Sequence, residues 1–198
     1  TNKVIGKTFT LPQLTGKMGF DAVFVAAGAG APAFLGIPGE FAGQVYSANE
    51  FLTRVNLMGG DRFPYQDTPI TLGKSVVVIG AGNTAMDAAR TALRLGHEPL
   101  IIYRRDREHM PAHDFEATEA IEEGVQIHWL RSIAGLSDGT VTVEVMALDA
   151  DGRAVGTGEY ETIDADHLIL ALGQDSDTGF LRGIDGVVFT ADGAVVVD

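Results

Sequence analysis

An apolar run, Ser75-Val76-Val77-Val78-Ile79, leads directly into the glycine-rich sequence Gly80-Ala81-Gly82-Asn83-Thr84-Ala85, and an amphipathic run then continues to Gly96. This order predicts a β-strand, a tight turn and an α-helix. Open α/β sheets use that arrangement to seat the pyrophosphate of a dinucleotide. The position of the G-x-G-x-x-A match between a β-branched run and an amphipathic run makes it specific, and we predict a dinucleotide-binding site there.

Each residue type in this turn suits contact with a phosphate. Gly80 permits the sharp turn, and Gly82 lets the backbone approach phosphate because it has no Cβ. The small Ala85 lets the helix and the strand pack closely. Asn83 and Thr84 open the helix, whose N-terminus offers unpaired N–H groups and the positive end of the helix dipole to an anion.

Strands and helices alternate after this turn, which indicates a parallel sheet. The further elements predicted are strands at 99–103 and 125–130 and a helix at about 114–123. Gly96 and Gly124 are expected to end the two helices. The fold class expected is therefore α/β, with a Rossmann-like NAD(P)-binding domain built on a parallel sheet.

The pattern changes after residue 130. Residues 141–148 alternate with period two, Asp151-Gly152 is a turn signal, and residues 153–163 return. These features predict an antiparallel β excursion in the place of a third helix. Residues 167–173 then form a buried strand that brings the chain back to the sheet.

The first third of the chain is predicted to hold fewer regular elements. Residues 20–27 have the composition of a buried strand. Ser47 and Glu50 form a capping box, which predicts a helix to about Met58. Two prolines and a glycine indicate a linker over residues 61–73, so that the dinucleotide-binding domain would span 74–173.

Composition excludes several classes of function. The sequence has no cysteine, so it cannot itself form a disulfide, a thiolate metal site, an iron–sulfur cluster or a Cys-x-x-Cys redox pair. A net charge of −13 argues against a nucleic-acid surface. No stretch approaches the roughly 20 apolar residues of a membrane span, and no signal peptide is evident. We expect a cytoplasmic protein.

The choice of nucleotide depends on the end of the second strand, where an NAD site normally carries an acidic residue. Here the sequence is Tyr103-Arg104-Arg105-Asp106-Arg107. Guanidinium groups bind a 2′-phosphate that a carboxylate would repel, so this segment favours NADP over NAD. Arg90 and Arg94 lie close by in sequence, and the grouping suggests an anion pocket. The alternative is a basic loop that pairs with neighbouring carboxylates: Asp106, Glu108 and Asp114.

Several segments resemble those of one enzyme family. They are Phe20 to Ala29, Gly36-Ile37-Pro38-Gly39-Glu40, Val45 to Leu52, Gly82 to Arg90, Tyr103 to Ala112, and Ala171-Leu172-Gly173-Gln174. They are spread from residue 20 to residue 174, so the resemblance covers nearly the whole chain. The chain resembles the family of the small (beta) subunit of glutamate synthase, NADPH-linked flavin and iron–sulfur oxidoreductases that include the NADP-binding part of dihydropyrimidine dehydrogenase.

The resemblance implies an NADP(H)-binding unit inserted into an FAD-binding unit. Residues 1–73 would be a partial FAD-domain strand plus a connector helix, 74–173 the NADP-binding domain, and 174–198 the start of the return into the FAD domain. The FAD-binding remainder, the iron–sulfur clusters and a partner subunit that accepts electrons would lie outside these residues.

By the same resemblance, Gly80, Gly82, Asn83, Thr84 and Ala85 would surround the NADPH pyrophosphate. The residues implied for the other two ends of the nucleotide are Arg104, Arg105 and Arg107 at the 2′-phosphate, and Gly173 and Gln174 near the nicotinamide. No side chain in the chain is implied as a catalytic acid or base, because the redox chemistry belongs to the cofactors.

Three alternatives compare with this interpretation as follows. A stand-alone dinucleotide-binding or sensor domain would share the glycine turn but would lack a hydride acceptor. A metal site at His109 and His113 is disfavoured, because Pro111 lies between them and no third ligand is evident. A short-chain dehydrogenase needs Tyr-x-x-x-Lys, which the chain lacks.

Overall fold

The computed structural model describes residues 2–137, 139–191 and 193–196. The chain forms two compact units. The larger runs from Phe34 to Gly173, and the smaller combines the segments before and after it. Residues 34–73 thus belong to the larger unit, so the boundary predicted at residue 73 does not coincide with the boundary between compact units.

The regular elements follow one another as alternating strands and helices and then as strands alone. The strands are β1 (Ala31–Pro32), β2 (Val45–Ser47), β3 (Ser75–Ile79), β4 (Glu98–Tyr103), β5 (Gln126–Trp129), β6 (Arg131–Ser137), β7 (Thr140–Leu148), β8 (Ala154–Asp164), β9 (His167–Leu170) and β10 (Gln174–Asp175). The α-helices are α1 (Ala48–Leu52), α2 (Asn83–Arg94) and α3 (Asp114–Glu123).

A parallel sheet in the order β2-β9-β3-β4-β5 is the centre of the larger unit. β3 pairs with β4 on one side and with β9 on the other. Its side chains alternate between two buried faces, since Val76 and Val78 lie in one hydrophobic cluster while Val77 and Ile79 lie in another. A strand buried on both faces needs an uninterrupted apolar run, which explains the composition of 75–79.

Different layers cover the two faces of this sheet. The helices α1, α2 and α3 contribute to the cluster that contains Val76. The opposite cluster is completed by Ile133, Leu136, Val141 and Val143 of an antiparallel sheet in the order β6-β7-β8. The predicted α/β class with a parallel sheet and an antiparallel excursion is confirmed, and the excursion forms the third layer of the unit.

The sequence prediction missed strand β6. Residues 125–130 were expected as one strand, but β5 ends at Trp129 and β6 begins at Arg131. Between them Leu130 adopts a φ of +55°, a left-handed conformation that a leucine rarely occupies. That single residue redirects the chain from the parallel sheet to the antiparallel one. No glycine or proline marks the change, so local composition carried no signal for it.

The predicted strand at residues 20–27 is wrong. This segment has no regular hydrogen-bonded structure, and the Phe24 side chain is 93% exposed. A strand persists only when its backbone N–H and C=O groups pair with a neighbour. Within the smaller unit the described pairing is confined to β1 with β10 and to one isolated bridge in each flanking segment. An apolar sequence without a pairing partner therefore stays irregular.

The predicted helix after Ser47 is confirmed. The Ser47 hydroxyl accepts a hydrogen bond from the Glu50 N–H at 3.2 Å, and α1 continues as a π-helical turn over Thr53–Leu57. Phe51 is fully buried beneath it. The residues immediately before α1 form β2, which joins the parallel sheet beside β9.

Helices α2 and α3 are held together by a cluster of ion pairs. Arg90 contacts Glu123, Glu119 at 3.0 Å and Glu116 at 3.6 Å, and Arg94 contacts Glu123 at 2.7 Å. The hydrogen bond from Arg90 lowers the pKa of the Glu123 carboxyl to about 2, with Arg94 contributing in the same direction. The two arginines thus serve helix packing.

We predict that this cluster makes stability depend on acid pH. The pKa of Glu123 is lower in the folded chain than its ordinary value of 4.5. Its contribution is therefore fully present above about pH 4.5 and is lost as the pH falls toward 2. The free energy of unfolding, measured by urea titration, should fall between pH 5 and pH 3 by less in Glu123→Gln than in the parent chain.

Glu122→Gln is the matched control, because Glu122 is exposed and forms no ion pair within the described segments. It removes the same charge from the same helix. An equal change in pH dependence for the two variants would show that net charge, rather than the pairing with Arg90, is responsible.

Candidate functional site

The glycine turn lies at the carboxyl edge of the parallel sheet, between the ends of β3 and α2. The chain runs from β3 to β4 and β5 on one side, while β9 and β2 lie on the other. The carboxyl ends of β3 and β9 therefore border the point where the strand order reverses. Ligands of open α/β sheets bind in the crevice outside the strands at such a point.

Gly80 is required by the fold itself. Its N–H donates to the Ile102 carbonyl at 3.0 Å, and its φ of +122° lies in the region that favours glycine. A Cβ at this position would overlap the carbonyl oxygen of Ala171. The turn is thus packed between the ends of both neighbouring strands.

Gly82 differs from Gly80, because the space beside it is open. It is the N-cap of α2, and its carbonyl accepts from the N–H groups of Ala85 and Met86 at 2.9 and 3.2 Å. With φ at −85°, the backbone is one that any residue can adopt, and no heavy atom lies within 4 Å of the place a Cβ would take. A cradle of this kind fits a group that approaches the backbone closely.

The first residues of α2 are arranged to receive an anion. In the described part of the chain, the N–H groups of Asn83 and Thr84 donate to no acceptor. Both residues are partly exposed, while Ala85 is fully buried. Free N–H groups and the positive end of the helix dipole favour a phosphate at this end.

The segment after β4 folds back onto the glycine turn. The Ala112 N–H donates to the Ala81 carbonyl at 3.1 Å, and the His113 N–H donates to Asn83 Oδ1 at 3.0 Å. These bonds attach the loop that carries Arg104, Arg105 and Arg107 to the start of α2. The role of the Asn83 side chain as an acceptor here was not foreseen, since its partner is distant in sequence.

In the described part of the chain, the arginines of this loop form no ion pairs with carboxylates. Arg104 and Arg107 are exposed, and within the described ranges neither forms an ion pair. Asp106 instead pairs with His109, whose Nδ1 lies 2.7 Å from Oδ1, and that hydrogen bond lowers the pKa of the Asp106 carboxyl. The alternative of a self-paired basic loop is therefore not what the described side chains form.

The predicted grouping of arginines divides in two. Arg90 and Arg94 bind the glutamates of α3, so assigning them to an anion pocket is wrong. Arg105 donates through Nε to the Tyr103 hydroxyl at 3.0 Å, and its guanidinium carbon lies 5.7 Å from the centre of the Tyr103 ring. The sequence placed all of these arginines within 18 positions, but only folding shows which have carboxylate partners.

Gly173 and Gln174 follow β9. Gly173 is exposed with a φ of +106°, and it lies at the carboxyl edge of the parallel sheet. Gln174 belongs to the smaller unit, where it pairs with Pro32. Their proximity to a nicotinamide stays a prediction.

The two histidines of the loop have other contacts. His113 stacks on Phe115, with ring centroids 5.7 Å apart. Throughout residues 2–137, 139–191 and 193–196, no three His, Asp or Glu side chains come together in a way that could hold a metal ion.

Residues 2–198 match the sequence model of one protein family, the pyridine nucleotide-disulphide oxidoreductases. The chain belongs to this family. The family is one of oxidoreductases, although a chain without cysteine supplies no thiol for disulfide chemistry. In the described residues, no helix is both long enough and apolar enough to traverse a bilayer.

Named relatives support the resemblance seen in the sequence. The NADPH-Fe(3+) oxidoreductase subunit beta of Geobacter sulfurreducens is 37% identical over 97% of this chain. The glutamate synthase [NADPH] small chain of Azospirillum brasilense is 37% identical over 87% of it. The resemblance to the glutamate synthase small subunit is thus confirmed. The chain spans 29% and 38% of the lengths of these two relatives.

Solved structures show the same fold. FprA of Mycobacterium tuberculosis, in complex with NADPH, superposes with a TM-score of 0.75 at 20% identity, over 96% of this chain and 56% of its own. Thioredoxin reductase of Lactococcus lactis superposes with a TM-score of 0.63 at 19% identity, over 84% of this chain and 48% of its own. The fold of this chain is therefore shared with both proteins at low sequence identity.

The two glycines of the turn should respond differently to the same substitution. Gly80→Ala forces a strained φ and an overlap with Ala171, so we expect it to lower the free energy of unfolding by about 2 kcal/mol or more. Gly82→Ala meets no neighbour, and its effect should stay within about 1 kcal/mol. Urea unfolding of the two variants measures both quantities. Equal losses of stability would contradict this division of roles.

Proposed function

We propose that this chain is the NADPH-binding portion of a flavin-dependent oxidoreductase of the glutamate synthase small-subunit type. It would pass hydride from NADPH to FAD, from which electrons continue to iron–sulfur centres. The observation that carries the proposal is the open glycine turn at the sheet's switch point, bordered by a loop whose exposed arginines have no carboxylate partner among the residues that the structure describes. A pyrophosphate and a 2′-phosphate are the two anionic groups that NADPH presents.

The pyrophosphate is assigned to the turn and the start of α2. The free N–H groups of Asn83 and Thr84 donate to it, and Gly82 leaves room for its oxygens. Gly80 and Ala85 act indirectly, because they allow the strand, the turn and the helix to pack closely.

The 2′-phosphate is assigned to Arg104, Arg105 and Arg107. Arginine keeps its charge at every physiological pH and binds phosphate through parallel N–H donors. NAD(H), which has a free 2′-hydroxyl, gains nothing from these guanidinium groups. The expected result is a preference for NADP(H).

The nicotinamide is assigned to the vicinity of Gly173 and Gln174, at the end of β9. NADPH supplies a hydride there when it is bound. The residues of this chain bind and orient it, and none of them needs to accept or donate a proton.

The flavin and the clusters are assigned to other parts of the enzyme. The absence of cysteine means that these residues do not fit an iron–sulfur cluster. The names of the relatives denote subunits, which supports a partner subunit as electron acceptor. A cytoplasmic location stays a prediction from the sequence.

Removing two arginines should change nucleotide selectivity. The variant Arg104→Ala/Arg105→Ala should lose about tenfold or more in affinity for NADPH, while its affinity for NADH changes by less than about twofold, because only NADPH carries the 2′-phosphate. Isothermal titration of both nucleotides measures the ratio.

Two controls separate this effect from others. Arg62→Ala/Lys74→Ala removes the same charge from the same unit and should leave both affinities nearly unchanged. Gly82→Ala places a methyl group where the pyrophosphate of both nucleotides would lie, so it should weaken the affinities for NADPH and NADH to a similar degree. The assignment of the arginines is wrong if their removal weakens NADPH no more than NADH.

Hydride transfer should require the flavin. We expect the chain of residues 1–198 alone to bind NADPH without oxidising it, measured by absorbance at the nicotinamide band with ferricyanide as acceptor. The polypeptide that includes the FAD-binding remainder should oxidise NADPH once FAD is added. Oxidation by the chain without flavin would contradict the proposal, and binding without oxidation by the FAD-loaded polypeptide would favour a nucleotide sensor.

A further inference from the structure

Tyr103, the last residue of β4, connects the sheet to the arginine loop. Its side chain is only 7% exposed, and its hydroxyl has hydrogen-bond partners inside the protein. The hydroxyl donates to the His109 carbonyl at 2.8 Å and accepts from Arg105 Nε at 3.0 Å. A phenol has one donor and can accept in addition, so both capacities are satisfied within the loop.

The Tyr103 ring is held in one place. It packs edge-on against Trp129, with centroids 6.2 Å apart and ring planes at 81°. The two residues are also cross-strand neighbours, because β4 and β5 place Tyr103 opposite Trp129. A hydroxyl on a fixed ring is a fixed acceptor, which distinguishes it from a water molecule or a mobile side chain.

The loop between Arg105 and His109 is fastened at both ends. The Leu130 N–H donates to the Arg105 carbonyl at 3.1 Å. Asp106 Oδ1 accepts from the His109 N–H at 3.1 Å and lies 2.7 Å from His109 Nδ1. On the far side of the His109 ring lies the β7–β8 turn, where a Cβ on Gly152 would come within 2.5 Å of Nε2.

Within the described residues, the terminal end of the Arg105 guanidinium has no hydrogen-bond or ion-pair partner. Nε is engaged by Tyr103, so the two terminal nitrogens remain as a fork that can bind two oxygens of one phosphate. An arginine side chain loses considerable rotamer freedom when it is ordered by a ligand. Ordering it beforehand removes that loss from the free energy of binding.

We propose that Tyr103 is a positioning residue that determines specificity for the 2′-phosphate, because its hydroxyl holds the Arg105 guanidinium in the binding arrangement. The proposal rests on the assignment of NADPH to this site. Tyr103 touches no part of the nucleotide and acts through Arg105.

The test is titration of the full chain with 2′,5′-ADP and with 5′-AMP, two probes that differ only in the 2′-phosphate. Tyr103→Phe keeps the ring and removes the hydroxyl. It should weaken the affinity for 2′,5′-ADP about fivefold, in keeping with the loss of one hydrogen bond. The affinity for 5′-AMP should fall by less than about twofold. In the Arg105→Ala background, Tyr103→Phe should weaken 2′,5′-ADP by less than about twofold.

Arg105→Lys is a second variant, since lysine keeps the charge but has no Nε–H donor. It should lose affinity for 2′,5′-ADP by a factor similar to that of Tyr103→Phe. Tyr46→Phe is the matched control, because Tyr46 is also a buried tyrosine of the parallel sheet and its hydroxyl donates to the Thr71 carbonyl at 3.4 Å. It should leave both affinities unchanged.

The outcomes separate the two levels of the proposal. Equal weakening of both probes by Tyr103→Phe, or an undiminished effect in the Arg105→Ala background, would show a merely structural role and overturn the assignment of Tyr103. A parent chain that binds 5′-AMP as tightly as 2′,5′-ADP would instead overturn the proposed NADPH specificity itself.

Discussion

The close approach of the Gly80 backbone to the carbonyl oxygen of Ala171 determines where the rest of the carboxyl edge lies. Because Gly80 has no Cβ to overlap that oxygen, the turn after β3 can fit between the ends of β4 and β9. The start of α2 is thereby placed over the point where the strand order reverses. The space beside Gly82 stays open as a consequence, and the candidate site depends on a packing contact that itself binds no ligand.

The antiparallel sheet has a second consequence for the site. It covers one face of the parallel sheet with Ile133, Val141 and Val143, as a helix would in a regular doubly wound fold. It also contacts the arginine loop. The N–H of Leu130, the residue before β6, donates to the Arg105 carbonyl, and the turn at Gly152 lies against His109. A layer that appears only structural in the sequence thus supports the groups proposed to select the nucleotide.

Local pattern predicted the elements whose formation depends on neighbours in sequence. The helix over 114–123, the N-cap at Ser47 and the glycine turn all follow from short-range preferences and were confirmed as structural elements. The strand expected at residues 20–27 failed because an apolar run forms a strand only beside a partner. β6 was missed because a leucine, Leu130, makes the left-handed turn that glycine usually makes.

The sequence by itself determined the class of fold and the family and predicted the kind of ligand, because the glycine turn, its strand and its helix are contiguous in the chain. Only the tertiary structure decided how the arginines divide. Arg90 and Arg94 pair with α3, while Arg104 and Arg107 stay exposed and Arg105 is held by Tyr103. The reason is physical: an ion pair depends on distances between groups far apart in sequence, and these exist only once the helices and the sheet have packed.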